Sequence, residues 1–134
     1  VVCKAQPELA AEILTKVNET GSSLCAEEVE ALGFDHSAMG SVLLKAWRLP
    51  EVLVEAVSYH HQPDLAKNHL KITAAVHVAD ILAHELDLGT NGEATTPELH
   101  PPALGILGIE REALEEMKPA IVNQTEEVFA IFQQ

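Results

Sequence analysis

Apolar residues recur along this chain at the spacing of one face of an α-helix, and they do not alternate as they would along a half-buried strand. The longest such segment runs from His69 to Leu88, and a shorter one runs from Asp35 to Trp47. Their apolar positions are Ile72, Ala75, Val76, Ala79, Leu82, Ala83 and Leu86 in the first, and Met39, Val42, Leu43, Ala46 and Trp47 in the second. This pattern predicts an all-α fold, a compact bundle of six to eight helices.

Glycine, proline and aspartate residues indicate where the predicted helices begin and end. Gly33 suits the left-handed position after a helix, and Asp35 can cap the next helix. Pro50 ends one helix and starts another, whereas Pro119 must kink the last helix or start a new one. The stretch 90–102 is rich in Gly, Thr and Pro and is predicted to be an exposed loop.

The length and composition of the chain predict one domain, residues 1–134, that needs no metal or disulfide to fold. Of its 134 residues 47% are hydrophobic, which is enough to build a core, and only 4% are aromatic. The chain opens with Val1 and Val2 and enters a helical pattern almost at once. We therefore expect a fragment of a longer protein.

The charge balance argues against nucleic acid and anionic membranes as partners. The chain has 8 Lys and Arg against 21 Asp and Glu, which gives a formal net charge of −13. Its two cysteines, Cys3 and Cys25, have no metal-ligand spacing, and no signal peptide or membrane-spanning stretch is present in the sequence. A cytoplasmic location is the expectation.

Four residues are candidate metal ligands. His36 lies in the first turn of a predicted helix, His60 and His61 end the next helix, and Asp80 lies midway along the longest one. Imidazole and carboxylate groups are suitable ligands for Fe, Mn or Zn. If the four side chains converge, they could hold a divalent ion.

A structural role for the same residues is the favoured alternative, because dispersed histidines are weak evidence for a metal. His60 and His61 could bind helix C-terminal carbonyls, and Asp80 could hydrogen-bond His77 or His84. No catalytic residue is assigned, since no nucleophile elbow, phosphate loop or dinucleotide motif is present. Trp47 is expected in the core, where truncation to Ala would cost about 3 to 5 kcal/mol.

The middle of the sequence resembles a known signalling family. The matching residues are Glu30, Leu32, Gly33, Asp35, His36, Gly40, Leu43, Leu44, Trp47, Leu49 and Pro50, followed by His60, His61 and Pro63. This run resembles the HDOD domain, a relative of the HD-GYP phosphodiesterases. Further likeness in Pro7–Gly21, His77–Asp80 and Leu104–Ile106 spans most of the chain. The resemblance implies the C-terminal two-thirds of an HDOD domain, without its N-terminal lobe.

The resemblance implies a non-catalytic regulatory or interaction module in bacterial signal transduction. Its expected partners are signalling proteins, attached receiver domains or domains of cyclic di-GMP turnover, and a second copy of the chain. His36, His60, His61 and Asp80 look like the later metal ligands of HD-GYP enzymes. The His-Asp doublet of those enzymes is absent, and Gln62 to Asp64 stand where they have Gly-Tyr-Pro.

Two alternatives remain from the sequence. A metal-dependent phosphohydrolase, acting on a nucleotide or cyclic dinucleotide, would need ligands from outside this chain, because an incomplete ligand set cannot both hold a metal and position water. A ligand-sensing pocket could occupy a degenerate metal site in the same bundle. No cofactor is expected for this chain, apart from a possible divalent metal ion, Fe, Mn or Zn.

Overall fold

Helices account for all the regular structure in the computed structural model, which describes residues 2–89, 92–93 and 96–132. The helices are α1 Val2–Ala5, α2 Pro7–Thr20, α3 Leu24–Leu32, α4 His36–Ala46, α5 Glu51–Tyr59, α6 Leu70–Glu85, α7 Pro102–Leu107 and α8 Arg111–Phe132, with a 3-10 helix at Pro63–Leu65. The all-α prediction is confirmed, and eight α-helices among the described residues fall within its range. None of these helices is long and apolar enough to cross a membrane.

Most of the predicted helix boundaries are confirmed. Gly33 follows α3 in the left-handed conformation, and the side chain of Asp35 accepts a hydrogen bond from the backbone N–H of Ala38 at 2.8 Å. Pro50 immediately precedes α5. At Pro119 the structure shows one continuous helix, not a new one. The predicted loop 90–102 has no helix in residues 92–93 and 96–101, while residues 90, 91, 94 and 95 lie outside the described part.

The helices pack as two neighbouring groups. In the first group α2 packs against α1 and α3, and its buried face consists of Ala10, Ile13 and Val17. In the second group α5 packs against α4 and α6, and α6 packs against α7. The main apolar cluster lies between this second group and α8, and it comprises the buried residues Val78, Leu82, Ala103 and Leu114.

The prediction that Trp47 is a core residue is wrong, because its side chain is 67% exposed. Helix α4 turns a face of small residues, not its apolar stripe, toward α5. Ser37 and Ser41 are buried there, and a Cβ atom at Gly40 would lie 2.7 Å from Val57 Cγ1. Trp47 stands after the last helical residue, so the helical spacing that predicted its burial no longer applies.

Candidate functional site

A cavity of about 690 Å³ lies where α3 and α4 begin and α5 ends. Both helix starts are fixed by capping side chains: Ser23 accepts from Ala26 N–H at 3.3 Å, and Asp35 caps α4. After Tyr59 the chain leaves α5 through His60 and His61, which also line the cavity. The helix ends thus bring together side chains that are far apart in sequence.

A buried carboxylate holds His36 in a single orientation. Glu28 Oε2 accepts the His36 backbone N–H at 2.8 Å and lies 2.7 Å from His36 Nδ1. Nδ1 therefore carries the proton that it donates to Glu28. The other ring nitrogen, Nε2, points away from Glu28 toward His61.

His61 is a neutral imidazole at physiological pH. Burial, together with the neighbouring His60 and His36 rings, lowers the pKa of His61 to about 4. Its Nε2 lies 2.7 Å from His36 Nε2, a hydrogen-bond distance at which one nitrogen donates and the other accepts. When His36 is neutral with its proton on Nδ1, His61 donates and His36 Nε2 accepts.

His60 and Asp80 line the same cavity but take other roles. His60 Nδ1 donates to the Val57 carbonyl at 2.8 Å, the helix-end contact expected under the structural alternative, and its ring centroid is 3.9 Å from that of His61. Asp80 is on the cavity wall but outside the group of close ligand atoms found among the described residues. The four predicted ligands therefore do not converge as one set, although His36 and His61 do meet.

The expected hydrogen bond from Asp80 to His77 is not formed, because backbone groups occupy both ring nitrogens of His77. Its Nδ1 donates to the His60 carbonyl at 2.6 Å, and its Nε2 accepts from the His100 backbone N–H at 2.8 Å. Burial lowers the pKa of His77, although the bond to the His60 carbonyl opposes the shift. His77 thus fixes the position of the chain that carries His60.

Cys25 is the site residue that the sequence interpretation missed. Its Sγ and one ring nitrogen each of His36 and His61 belong to a group of potential ligand atoms within 4.8 Å of one another. Burial raises the pKa of the Cys25 thiol to about 12, and the carboxylates of Asp35, Glu28 and Glu93 act in the same direction. A cation is needed to make this sulfur a thiolate at neutral pH.

The cavity wall is acidic, with Glu28, Asp35, Asp80, Glu93 and Glu98 all among its lining residues. In a chain of net charge −13, these carboxylates make the cavity favourable for a cation and unfavourable for an anion such as a phosphate ester. The set of His36, His60, His61 and Asp80 does not fit the hydrolytic metal centre that HD-GYP enzymes would imply. The group that comes closest to ligand geometry contains a thiol instead of a carboxylate.

Comparison with known protein families identifies the part of the chain that carries this site. Residues 1–63 match the HDOD domain. This segment, slightly less than half of the chain, is similar to the HDOD domain. Cys25, Glu28, His36, His60 and His61 all lie within the HDOD match, and Asp80 lies beyond it. No curated protein and no solved structure matches the chain.

Proposed function

We propose that this chain is a non-catalytic signalling module of the HDOD type that works by protein contact, with a second copy of itself as the partner. The proposal rests on the HDOD match and on an exposed apolar surface at the turn between α4 and α5. It extends the family assignment, which by itself does not distinguish a regulatory domain from a catalytic one. The exposed contact surface is the main support for the proposal.

This contact surface, here called the corner surface, consists of Trp47, Leu49, Leu53 and the flanking cations Lys45 and Arg48. All three apolar side chains are exposed, and they lie within seven residues of chain. Exposed apolar groups that cluster in this way are typical of protein interaction sites. Trp and Arg are also the residues that most often dominate binding energy at such sites.

The corner surface is locally basic in an acidic chain. Lys45 and Arg48 are exposed, and neither forms an ion pair within the described part of the chain, whereas Lys16 and Lys118 are each paired with glutamates. A partner that complements this surface must offer apolar side chains beside carboxylates.

The C-terminal end of α8 offers that chemistry. Every residue from Glu126 to Ile131 is exposed, and Val128, Phe129 and Ile131 stand beside two adjacent carboxylates, Glu126 and Glu127. If α8 of each copy docks on the corner surface of the other, two identical contacts form around a twofold axis. Both apolar surfaces would then be covered, and Lys45 and Arg48 would gain acidic neighbours.

Light scattering coupled to size exclusion tests this proposal. The expected mass is that of two chains for the native protein and for Val29→Ser, a control that removes an exposed apolar residue belonging to neither surface. Trp47→Ser and Phe129→Ser should each give one chain. A native protein that remains monomeric at 100 to 200 μM, roughly the range of weak dimers, would contradict self-association.

Charge reversal identifies the pairing more sharply. Arg48→Glu alone and Glu127→Arg alone should each weaken the dimer, because each places like charges across the contact. Combined in one chain, the two changes should restore it. Failure of the combined variant to dimerise would mean that α8 is not what covers the corner surface.

A second candidate is the metal-dependent phosphohydrolase, which the meeting of His36 and His61 on the cavity wall supports and which the acidic lining of the cavity opposes. Its test is hydrolysis of bis(p-nitrophenyl) phosphate and of cyclic dinucleotides with added Mn, Fe or Zn. Turnover that is lost in His61→Ala and Asp80→Ala would establish this candidate and contradict the non-catalytic proposal. Absence of turnover in metal-loaded protein would remove it.

We also propose that the module acts in the bacterial cytoplasm, linked to receiver domains or to domains of cyclic di-GMP turnover. The support is the HDOD match together with the low cysteine content, two residues in the chain. Co-purification of the full natural protein with such a domain, dependent on Trp47, would test it.

A further inference from the structure

We propose that Cys25, His36 and His61 bind a zinc ion that ties α3 to the start of α4 and the end of α5. The three side chains come from three separate parts of the chain and place their ligand atoms within 4.8 Å of one another on the cavity wall. This ligand set differs from the histidine and carboxylate set implied by the HD-GYP resemblance, because it contains sulfur and omits Asp80.

The position of Glu28 is the strongest support for a metal at this point. A carboxylate that accepts the distal N–H of a ligating histidine is the usual second partner in zinc sites, since it fixes the tautomer and strengthens the ligand. Glu28 Oε2 lies 2.7 Å from His36 Nδ1 and also accepts the His36 backbone N–H. Its bond leaves the lone pair of His36 Nε2 directed toward His61.

The present geometry is close to that of zinc coordination but is not identical to it. Two nitrogens bound to one tetrahedral zinc ion at about 2.0 to 2.1 Å lie about 3.3 Å apart. His36 Nε2 and His61 Nε2 lie 2.7 Å apart and share a hydrogen bond. Zinc binding therefore requires the two rings to separate slightly, while His61 moves its proton from Nε2 to Nδ1 and the Cys25 thiol releases its proton to solvent.

The ligand chemistry favours zinc over the divalent ions that prefer oxygen ligands. A thiolate with two imidazoles favours zinc over magnesium, calcium and manganese, which prefer oxygen. Copper accepts the same three ligands with a weak axial Met or Gln, and Gln62 lines this cavity, so copper is titrated beside zinc as the competing ion. Three protein ligands also leave a fourth position for water or for a small molecule in the cavity.

Cobalt substitution provides the test, because Co(II) replaces zinc and reports its ligands in the absorption spectrum. All proteins carry Cys3→Ser, so that Cys25 is the one remaining thiol. We expect one Co(II) per chain, a thiolate-to-cobalt charge-transfer band in the near ultraviolet, and displacement by one equivalent of zinc. Zinc should also raise the melting temperature, because it binds only the folded arrangement.

Matched variants show which residues hold the ion. Cys25→Ser, which changes one atom, should abolish the charge-transfer band, and His61→Ala should abolish stoichiometric binding. Glu28→Gln keeps the side-chain shape and should weaken binding roughly 10- to 100-fold. His84→Ala removes a histidine of α6 away from the cavity and should bind like the parent protein.

Circular dichroism spectra of each variant in chelator separate loss of ligand from loss of fold. Cobalt bound without a charge-transfer band, or binding unchanged in Cys25→Ser, would overturn the proposal. Zinc binding without phosphodiester turnover would agree with it and with the non-catalytic function. Because the dimer is measured independently, failure of one proposal leaves the other intact.

Discussion

Trp47 is the only tryptophan of the chain, and its exposure makes its energetic role measurable. Because the side chain makes little contact with the core, we expect Trp47→Ala to change the free energy of unfolding by no more than about 0.5 kcal/mol. Urea denaturation followed by circular dichroism, at a protein concentration low enough to keep the chain monomeric, measures this. If Trp47 were buried, as the sequence analysis predicted, the same variant would lose about 3 to 5 kcal/mol in free energy of unfolding.

A buried residue of α2 provides the comparison. Ile13 is 5% exposed, and Ile13→Ala should cost about 2 to 5 kcal/mol because it removes apolar contacts and leaves a cavity. A loss at Trp47 as large as the loss at Ile13 would place the indole in a packed environment and would contradict its role in the corner surface.

Cys25 should be a slow nucleophile despite its position on a cavity wall. Only the thiolate reacts with iodoacetamide, and burial, helped by nearby carboxylates, raises the pKa of Cys25 to about 12. In metal-free Cys3→Ser protein the alkylation rate should therefore increase about tenfold per pH unit between pH 7 and 10 without levelling off. The urea-unfolded chain should level off near the ordinary thiol pKa of about 8.5. The same plateau in the folded protein would show that the thiol is solvated.

At the scale of single residues, the sequence predicted part of the site. His36 and His61 could be identified because they resemble ligand positions of a known family, and the structure brings them together. Cys25 could not be identified from spacing, since its neighbours in the site are eleven and thirty-six positions away in sequence. The one local signal was that Cys25 and Glu28, three residues apart on α3, share a helix face.

The contact between α4 and α5 depends on a glycine. A Cβ atom at Gly40 would lie 2.7 Å from Val57 Cγ1, and Val57 is a branched side chain with little freedom to move. Gly40→Ala gains helix propensity of about 1 kcal/mol but overpacks this contact, which typically costs about 1 to 3 kcal/mol. We expect a net loss of stability of up to about 2 kcal/mol in urea denaturation.

Gly105→Ala is the matched control, because Gly105 lies inside α7 with no atom within 4 Å of the added Cβ. It should stabilise the protein by up to about 1 kcal/mol through helix propensity alone. If both alanine variants were equally stabilised, the two helices would not be in the close contact that the structure shows.

Glu55 of α5 caps the start of α6 across the helix pair. Its buried carboxylate accepts the backbone N–H groups of Lys67, Asn68 and His69. Burial raises the pKa of Glu55, but the three N–H donors outweigh it and lower the pKa below its usual value. The stabilisation is therefore complete above about pH 4.5 and is lost as the pH falls through the lowered pKa.

Glu55→Gln should be less stable than the native chain at pH 7, and the difference should diminish toward pH 3, where the native carboxyl is protonated. Thermal melts at both pH values measure this, with Glu51→Gln as the exposed control on the same helix. A difference that stays constant from pH 7 to pH 3 would show that the charge of Glu55 does not contribute.

At the scale of helices, the sequence was sufficient to predict where the helices lie and where most of them begin and end. It was not sufficient to predict which face of α4 is buried. Capping residues and glycines act locally, so Asp35 and Gly33 could be interpreted without tertiary information. The orientation of α4 depends on how closely α5 can approach. Ser37, Gly40 and Ser41 let α5 pack close to α4, and this packing stabilises the fold more than burial of the apolar stripe would. Helical periodicity alone does not predict this effect.

Across the described residues, hydrogen bonds to loop residues 92–93 and to α4 link α2 and α3 to the rest of the chain. Asn18 donates to the Gly92 carbonyl at 3.0 Å, Leu24 N–H donates to Glu93 Oε1 at 3.0 Å, and Glu28 holds His36. The all-α class could be predicted from periodicity along each segment. The division into two helix groups could not be predicted, because it depends on contacts between residues up to 74 positions apart.

This arrangement predicts that the first helix group can open without unfolding the second. Glu28→Ala removes the acceptor of two N–H groups of His36, so in chelator it should accelerate hydrogen exchange across Pro7–Leu32 while exchange around Val78 in the α6 core stays unchanged. Glu19→Ala, an exposed change on α2, should alter neither region. Faster exchange in both regions of Glu28→Ala would mean that the two groups unfold together. If the two groups unfold together, a zinc ion at Cys25, His36 and His61 would slow hydrogen exchange equally throughout the chain. If the first group opens independently, zinc would slow exchange only in α2 and α3, and that part of the molecule would respond to the metal.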